Sequence, residues 1–395
     1  MGGTRPRPLH CHSTSCVPTA KVPSMTLSKK DRHLLPTLAT PYTRIAVIGA
    51  GSWGTALATV ARRAGREVVI WGRDAKIVDA IATRSENPKY LPGIALPPGI
   101  EATTDMAHAL SKADAVLIVT PSTTLRKICA QLKPHLPDGV PVALCAKGIE
   151  ARTGLLLGEV AAEELPGHPI GALSGPTFAR ETVLAHPTAA TVAFHFRYRD
   201  RLDPQDSPAA RLAISMSSES FRPYISDDLV GVEIGGAVKN VIAIACGMMS
   251  GAGFAENTRA ALITRGMDEM KTLAEVLGGR RETVTGLSGA GDLTLTCSST
   301  TSRNMSLGTQ LGKGLKREDC FDGKPVVVEG EVNAISVIDL AGRIGVSLPI
   351  CEAVHAVLHQ GADLTHTFRD LWARPIEAEP KALGISLDHP FGEHA

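Results

Sequence analysis

Aromatic residues are scarce in this sequence, at 4% of 395 residues, and neither sign of charge is in excess, with 41 Lys and Arg against 40 Asp and Glu. A chain without a basic surplus lacks the electrostatic attraction on which nucleic-acid binders and membrane-surface proteins depend. Hydrophobic residues make up 44% of the chain, which is enough to bury a sizeable core. The composition therefore excludes a mainly disordered chain and predicts no nucleic-acid partner.

The cysteines lack the spacing of a metal site or of a redox motif. Eight are scattered along the chain without a Cys-x-x-Cys pair, and a chain of this size does not need disulfides for stability. This usage predicts reduced thiols and a cytoplasmic location. His10, Cys11, His12 and Cys16 lie close together, but no folded frame is predicted around them, so we expect no metal site.

Long uninterrupted apolar runs are also missing. The best candidate for a membrane span, residues 234–255, is interrupted by Lys239 and Asn240. A spanning helix needs about 18 or more apolar residues in succession. No integral membrane segment is therefore predicted.

The chain divides into three parts by composition and pattern. Residues 1–42 are rich in Pro, Ser, Thr and basic residues and contain one acid, Asp31, which predicts either a disordered extension or a misassigned start, with Met25 as the alternative initiator. Residues 43–224 contain short, almost continuous apolar runs typical of strands buried on both faces, which predicts an α/β, doubly wound, mostly parallel (Rossmann-like) sheet. In residues 225–395 helical patterns dominate, which predicts a second, all-α domain.

A glycine-rich turn opens the predicted sheet domain. The apolar run at 44–48 is followed by Gly49-Ala50-Gly51-Ser52-Trp53-Gly54, then by a helical segment and a second strand at 67–71. In this context the first glycine permits the tight turn, the second admits a pyrophosphate, and the third allows close packing of helix and strand. The free N–H groups of the helix then face the anion. The turn predicts a dinucleotide site.

The second strand ends in Trp71-Gly72-Arg73-Asp74. An Arg at this position can accommodate the 2′-phosphate of NADP, whereas an acid would bind the ribose hydroxyls of NAD. Arg73 favours NADP and Asp74 leaves NAD open, and Arg73 could equally be a solvated loop cation. The cofactor is therefore predicted to be NADP or NAD.

Polar residues follow other predicted strands where those strands end. Lys147-Gly148 follows one strand, and Ser174-Gly175-Pro176-Thr177 follows the next. The carboxyl ends of strands in open parallel sheets are where ligands bind. Lys147 is therefore a candidate for contact with an anionic substrate, with an ordinary exposed lysine as the alternative.

Lys239 interrupts a segment that is apolar on almost every side. Buried lysines are rare, and burial disfavours the ammonium form, so such a lysine can exchange a proton near neutral pH. The alternative is a lysine at the helix edge that reaches solvent. Downstream, Asp292 lies in a glycine-rich stretch that would ordinarily be a turn or a helix cap, while Arg303 and Asn304 can bind a phosphate.

Taken together, these motifs resemble the NAD(P)-dependent glycerol-3-phosphate dehydrogenases of the bacterial type, which make sn-glycerol 3-phosphate for phospholipids. The resemblance covers about residues 44–335 and rests on the order of the glycine turn, Lys147-Gly148, 174–179, 235–240, 261–266, 291–293, 302–304 and 327–330. Two mild departures, at 288–290 and 198–207, the second of which we expect to be a surface loop, touch no residue with an expected role.

The resemblance implies an enzyme that interconverts dihydroxyacetone phosphate and sn-glycerol 3-phosphate in the cleft between two domains. It implies that Lys239 donates or accepts the proton. The residues expected to line the substrate site are Lys147, Gly175, Thr177, Asp292, Thr296, Ser302, Arg303 and Asn304. Those expected to meet the cofactor are Gly49, Gly51, Ser52, Trp53, Gly54, Arg73, Lys147, Ala179, Arg303, Val327 and Glu329.

Two other functions compete with this interpretation. The 3-hydroxyacid and 6-phosphogluconate-type dehydrogenases have a similar plan, but they place an Asn four residues after their catalytic Lys, where this chain has Ala243. A non-catalytic dinucleotide-sensing regulator would need the glycine turn but not Lys239, Asp292 and Arg303 together. The glycine-rich helical segments could pack within one subunit or between two, which leaves a homodimer open.

Overall fold

The computed structural model describes residues 39–379 and 383–390. Most of the predicted extension, including the cluster from His10 to Cys16, lies outside the described residues. Tyr42, which the sequence assigned to that extension, is buried in the core, and its N–H donates to Ser215 Oγ at 2.7 Å. The folded part therefore begins before the predicted boundary.

One eight-stranded sheet organises the first half of the described chain, in the order β3-β2-β1-β4-β5-β6-β7-β8. Neighbouring strands are parallel except for the antiparallel pair β6 and β7. The predicted doubly wound, mostly parallel sheet is confirmed. The strands are β1 Arg44–Ile48, β2 Glu67–Trp71, β3 Ile100–Thr103, β4 Ala115–Ile118, β5 Val142–Leu144, β6 Ile170–Ser174, β7 Thr188–Phe194 and β8 Phe221–Ser226.

Side chains alternate between the two faces of the buried strands and so contribute to two apolar cores. On β1, Ile45 and Val47 join one buried cluster, while Ala46 and Ile48 join another. Successive side chains of a strand point to opposite faces, so helices must cover both sides of this sheet. The near-continuous apolar runs of the sequence reflect this two-sided burial.

Helices flank the sheet and then form the second half of the described chain. Those of the sheet region are α1 Ser52–Arg63, α2 Ala75–Arg84, α3 Met106–Leu110, α4 Leu125–Leu132, α5 Leu157–Glu164, α6 Ala179–Val183, α7 Tyr198–Leu202 and α8 Pro208–Met216. The later ones are α9 Leu229–Gly251, α10 Glu256–Val276, α11 Arg281–Val284, α12 Asp292–Ser298, α13 Arg303–Gly312, α14 Glu329–Ile344, α15 Pro349–His359 and α16 Leu364–Trp372.

Several local features differ from expectation. The stretch 198–207, expected to be a loop, contains α7 and a 3-10 turn, Pro204–Asp206. Strands β3 and β8 carry too few buried residues to stand out in the sequence. A two-residue antiparallel pair, β9 Ile376–Glu377 with β10 Ser386–Leu387, follows the otherwise helical second half.

The 23-residue helix α9 has a mean hydropathy of 1.7 in its most apolar window, so by length and composition it could cross a membrane. The sequence argument counted Lys239 and Asn240 as interruptions and missed this. However, 94% of that window is buried inside the described protein. Such burial is typical of the core helix of a globular domain.

Helices α9 and α13 cross with their backbones in contact. A Cβ atom at Gly247 would lie 2.3 Å from the carbonyl oxygen of Met305, and one at Gly308 would lie 2.1 Å from that of Ile244. Glycines on both helices therefore permit an approach that any side chain would prevent. These glycines pack within one subunit, and the contact fixes the start of α13, where Arg303 and Asn304 lie, beside the helix that carries Lys239.

Candidate functional site

The glycine turn joins β1 to α1 at the carboxyl edge of the sheet. Gly49 has φ +127°, a conformation that side chains rarely adopt, and a Cβ at Gly54 would lie 1.8 Å from the Gly49 carbonyl oxygen. At Gly51 the position of a Cβ has no atom within 4 Å. Gly49 and Gly54 are thus required by the fold, whereas Gly51 keeps space open above the helix terminus.

This open space fits the pyrophosphate of a dinucleotide. Helix α1 begins at Ser52 with no acidic residue in its first turn and no side-chain cap, so its first N–H groups remain available to an anion. The hydroxyl of Thr120, which adjoins the turn, is buried with no hydrogen-bond partner in the described part of the chain. Trp53 and Ala179 are both half-buried against the same apolar cluster beside the turn.

Arg73 and Asp74 lie side by side at the tip of β2 but have different environments. Arg73 is exposed. Asp74 is the N-cap of α2, where its Oδ1 accepts from the Lys76 N–H at 3.1 Å, and its Oδ2 lies 3.6 Å from Lys89 Nζ. The Asp74 carboxylate is therefore already engaged, which leaves it less free to bind ribose hydroxyls.

Lys239 of helix α9 is buried, with 6% of its surface exposed. Its Nζ donates to Asp292 Oδ1 and to Thr296 Oγ1, both at 2.7 Å. The side chain thus points into the protein and does not reach solvent along the helix edge. Its neighbours along α9, Ala237, Val238 and Val241, have fully buried apolar side chains.

The environment of Lys239 changes its acidity. Burial lowers its pKa to about 8, and the negative charge of Asp292 opposes but does not cancel this effect. The positive charge of Lys147 lowers the pKa further. The structure thus buries Lys239, as the sequence pattern indicated, and burial shifts its pKa in the direction that the sequence-based prediction expected.

Asp292 joins the two lysines. Its carboxylate accepts from Lys239 through Oδ1 and from Lys147 through Oδ2, and only 2% of its surface is exposed. A buried carboxylate is stable when it is paired and hydrogen-bonded, as here. Lys147 Nζ also lies 3.4 Å from the carbonyl oxygen of Gly175, so the end of β6 adjoins this cluster.

A short π-helix positions Asp292. Residues Leu287–Gly291 form this π-helix directly before α12, and a Cβ at Gly289 would lie 2.0 Å from the carbonyl oxygen of Val284. On the other side, a Cβ at Gly235 of α9 would lie 2.8 Å from the carbonyl oxygen of Ser288. Helical bulges of this kind occur frequently at functional sites. The small residues around 286–291 thus bring Asp292 against α9.

Three residues at the start of α13 differ in how far their side chains are available to bind a ligand. Arg303 is exposed, and its Nη1 donates to the Val327 carbonyl oxygen at 2.8 Å. Ser302 is the N-cap of the helix, and its hydroxyl accepts from the Met305 N–H. Asn304 is buried. Of these three, Arg303 has the most donors left for an anionic ligand.

The sequence argument missed a polar network around Asn304. Asn304 Nδ2 donates to Asn240 Oδ1 at 2.9 Å, and Asn304 Oδ1 accepts from the Gly330 N–H at 2.9 Å. Asn240 in turn donates to Glu329 Oε2 at 3.3 Å. Asn240 follows Lys239 directly and is buried in an apolar helix, which is the signal that could have identified it.

The expected residues thus fall into two groups at one edge of the sheet. The first is the glycine turn with Ser52, Trp53, Arg73 and Ala179. The second centres on Lys239 and contains Lys147, Gly175, Asp292 and Thr296. Hydrogen bonds connect Arg303 with Val327, and Asn304 through Asn240 with Glu329. The hydroxyl of Thr177 donates to the carbonyl oxygen of Gly175.

Two family models match the chain in succession. One describes the N-terminus of NAD-dependent glycerol-3-phosphate dehydrogenase and matches residues 44–198, and the other describes the C-terminus of the same enzyme and matches residues 228–369.

Individual proteins agree with these models. The chain is 46% identical to glycerol-3-phosphate dehydrogenase [NAD(P)+] of Rhodospirillum rubrum over 85% of its own length and 93% of the relative's, and 47% identical to that of Parvibaculum lavamentivorans over 86% and 98%. A crystal structure of glycerol-3-phosphate dehydrogenase from Coxiella burnetii superimposes with a TM-score of 0.77 at 36% identity, covering 84% of this chain and 99% of that one.

Proposed function

This chain belongs to the NAD-dependent glycerol-3-phosphate dehydrogenase family, and on that premise we propose that it interconverts dihydroxyacetone phosphate and sn-glycerol 3-phosphate with NADPH or NADH. The observation that carries this proposal is the buried ammonium group of Lys239, with its lowered pKa, which Asp292 joins to Lys147 after strand β5, at the carboxyl edge of the sheet that also holds the glycine turn. The product is a precursor of glycerophospholipids, so a role in phospholipid biosynthesis follows from the same proposal.

Lys239 is the proposed proton donor in ketone reduction and the acceptor in the reverse direction. When bound, NAD(P)H would supply the hydride for C2 of dihydroxyacetone phosphate. Lys239 Nζ gives its proton to the oxygen on C2, and Asp292 stabilises the ammonium form before transfer. Lys147, held by the same carboxylate, keeps a second positive charge near that oxygen as negative charge develops there.

The phosphate end of the substrate is assigned to the start of α13. Arg303 is exposed and has guanidinium donors beyond the one that binds Val327, and guanidinium groups bind phosphate bidentately. Asn304 Nδ2 has a second N–H beyond the one given to Asn240. Binding energy at this remote phosphate would orient C2 against Lys239. Lys147, Gly175, Thr177, Asp292, Thr296 and Ser302 complete the proposed substrate site.

The proposed cofactor site follows the open edge of the sheet. Gly49, Gly51, Ser52, Trp53 and Gly54 would hold the pyrophosphate, and Arg73 would meet the adenosine ribose. Ala179, which packs against the same apolar cluster as Trp53, would also meet the cofactor. Lys147, Arg303, Val327 and Glu329 would approach the nicotinamide half from the helical side. We propose a dinucleotide-binding domain that ends at residue 224 and begins before residue 43, because Tyr42 is part of its core. Residues 225–395 are the proposed substrate domain, and the succession of the two family models supports this division.

Oxidation of NADPH and NADH with dihydroxyacetone phosphate, followed by absorbance, tests the proposed activity. We expect turnover with this ketone and none with a 3-hydroxyacid or 6-phosphogluconate in the reverse assay. If the protein binds NADPH but reduces no triose phosphate, the dinucleotide-sensing alternative replaces the enzyme.

The pH dependence follows from the pKa of Lys239. Ketone reduction needs the ammonium form, so its kcat/KM should be highest below pH 8 and fall as the pH rises through about 8, because kcat/KM reports the pKa of the free enzyme. Oxidation of sn-glycerol 3-phosphate needs the neutral amine, so its kcat/KM should rise over the same interval. Profiles of kcat/KM in both directions check this, and two profiles that move in the same direction would contradict it.

A cytoplasmic location and a homodimer belong to the same proposal. The six cysteines in the described part of the chain are all free and buried, which is consistent with a reducing compartment. Exposed apolar side chains recur from the end of α16 onwards, at Trp372, Ile376, Leu383, Ile385 and Leu387, and exposed apolar surface favours association where it is contiguous.

A further inference from the structure

A short loop after α2 is fastened to the glycine turn. Asn87 is fully buried, and its Nδ2 donates to the Ala50 carbonyl oxygen at 3.0 Å and to Thr55 Oγ1 at 2.8 Å. Ser52 Oγ donates to the Tyr90 carbonyl oxygen at 3.1 Å. The residues between these anchors therefore have a fixed place beside the dinucleotide turn, although nothing in the sequence pattern assigned them to it.

This attachment places Lys89 next to the tip of β2. Lys89 Nζ lies 3.6 Å from Asp74 Oδ2 and 5.4 Å from the centre of the Tyr90 ring. Arg73, which precedes Asp74, is exposed on the same tip. The tip of β2, where the second strand of a dinucleotide-binding sheet approaches the adenosine ribose, thus carries an ion pair of Lys89 with Asp74 and an exposed arginine next to Asp74 in the chain.

We propose that Lys89, together with Arg73, forms a cationic seat for the 2′-phosphate of NADP, so that Lys89 determines cofactor specificity. The proposal rests on the proposed function, because it concerns the cofactor of that reaction. Asp74 alone would repel a phosphate. Lys89 neutralises it, and Arg73 leaves the seat with a net charge of about +1.

The same geometry disfavours NAD. A ribose with a free 2′-hydroxyl is usually held by an acid at this strand tip. Here one oxygen of Asp74 caps α2 and the other faces Lys89. Lys89 therefore contributes twice, by attracting the 2′-phosphate and by occupying the acid that would otherwise bind the ribose hydroxyl.

Binding of NADPH and NADH without substrate tests the proposal independently of turnover. The dissociation constants are read from the fluorescence of the reduced nicotinamide, for wild type, Lys89→Ala, Asp74→Asn and a control, Lys127→Ala. Lys127 is an exposed lysine on α4 of the same sheet domain. Asp74→Asn keeps a good N-cap residue, so α2 should remain stable.

We expect Lys89→Ala to weaken NADPH binding about three- to tenfold, since one partly solvated charge contact is lost. The same variant should strengthen NADH binding by up to about twofold, since it releases Asp74. Asp74→Asn should strengthen NADPH binding, and Lys127→Ala should change neither constant. Equal weakening of both dinucleotides by Lys89→Ala would mean that Lys89 only holds the loop, which overturns the proposal.

The outcomes separate this inference from the proposed function. If wild type reduces dihydroxyacetone phosphate and Lys89→Ala leaves the NADPH constant unchanged, the seat is wrong and the enzyme assignment stands. If wild type binds neither dinucleotide, the proposed function fails and the seat fails with it.

Discussion

Replacement of Lys239 by Met is expected to lower kcat about 1000-fold while the dissociation constant of NADPH stays within about twofold of wild type. The buried Nζ is the proposed proton donor, and Met fills a similar volume without a proton to give. Asp292 keeps Lys147 as a partner, so its carboxylate is not left unpaired. Steady-state kinetics with dihydroxyacetone phosphate and fluorescence titration of NADPH measure the two quantities.

Lys271→Met is the matched control for this variant. Lys271 is half-buried on α10, and its nearest acid is Asp268, at 4.0 Å on its own helix. This control should retain the wild-type kcat. A Lys239→Met protein that melts at the wild-type temperature and still turns over near the wild-type rate would remove Lys239 from the proton transfer.

Substitution of alanine for Gly51 should weaken NADPH binding without loss of stability, whereas substitution of alanine for Gly54 should destabilise the fold. Gly51 has an ordinary backbone conformation and open space at its Cβ position, so Gly51→Ala should keep its melting temperature. Its methyl group would occupy the space proposed for the pyrophosphate, and NADPH binding should weaken about 10- to 100-fold.

Gly54→Ala places a methyl group 1.8 Å from the Gly49 carbonyl oxygen. Strand β1 and helix α1 would have to separate, so we expect a loss of about 3 kcal/mol or more in the free energy of unfolding. Denaturant unfolding and NADPH titration of both variants check the pair. A stable Gly54→Ala protein, or a Gly51→Ala protein that binds NADPH normally, would contradict the proposed turn geometry.

The sheet was predictable because its strands are buried on both faces. Each central strand then consists almost entirely of apolar residues, as in Arg44–Ile48, and a glycine or polar residue marks its end. The edge strands Ile100–Thr103 and Phe221–Ser226 were not predictable, since only one residue in each is fully buried. The turns at 198–207 escaped prediction for a related reason, because their charged, exposed residues carry no apolar period.

Within the site, Lys239 could be identified because a lysine in an apolar helix stands out. The partners of that lysine could not be derived from pattern alone. Asp292 and Thr296 follow it by 53 and 57 positions, and only the packing of α12 against α9 joins them. Lys89 had no signal at all, since a lysine in a polar loop is unremarkable until Asn87 is seen to fasten that loop to the glycine turn.

The class of this protein is evident from its amino-acid order: the glycine turn between strand and helix, the strands buried on both faces and the succession of motifs belong to a dinucleotide-dependent dehydrogenase. Which side chains form ion pairs and hydrogen bonds depends on the three-dimensional packing. Asp292 lies between two lysines, Asn304 is committed to Asn240 and Gly330, and Asp74 is paired with Lys89. The spacing of apolar residues along the chain predicts which residues are buried, whereas these pairings depend on distances between segments far apart in the chain.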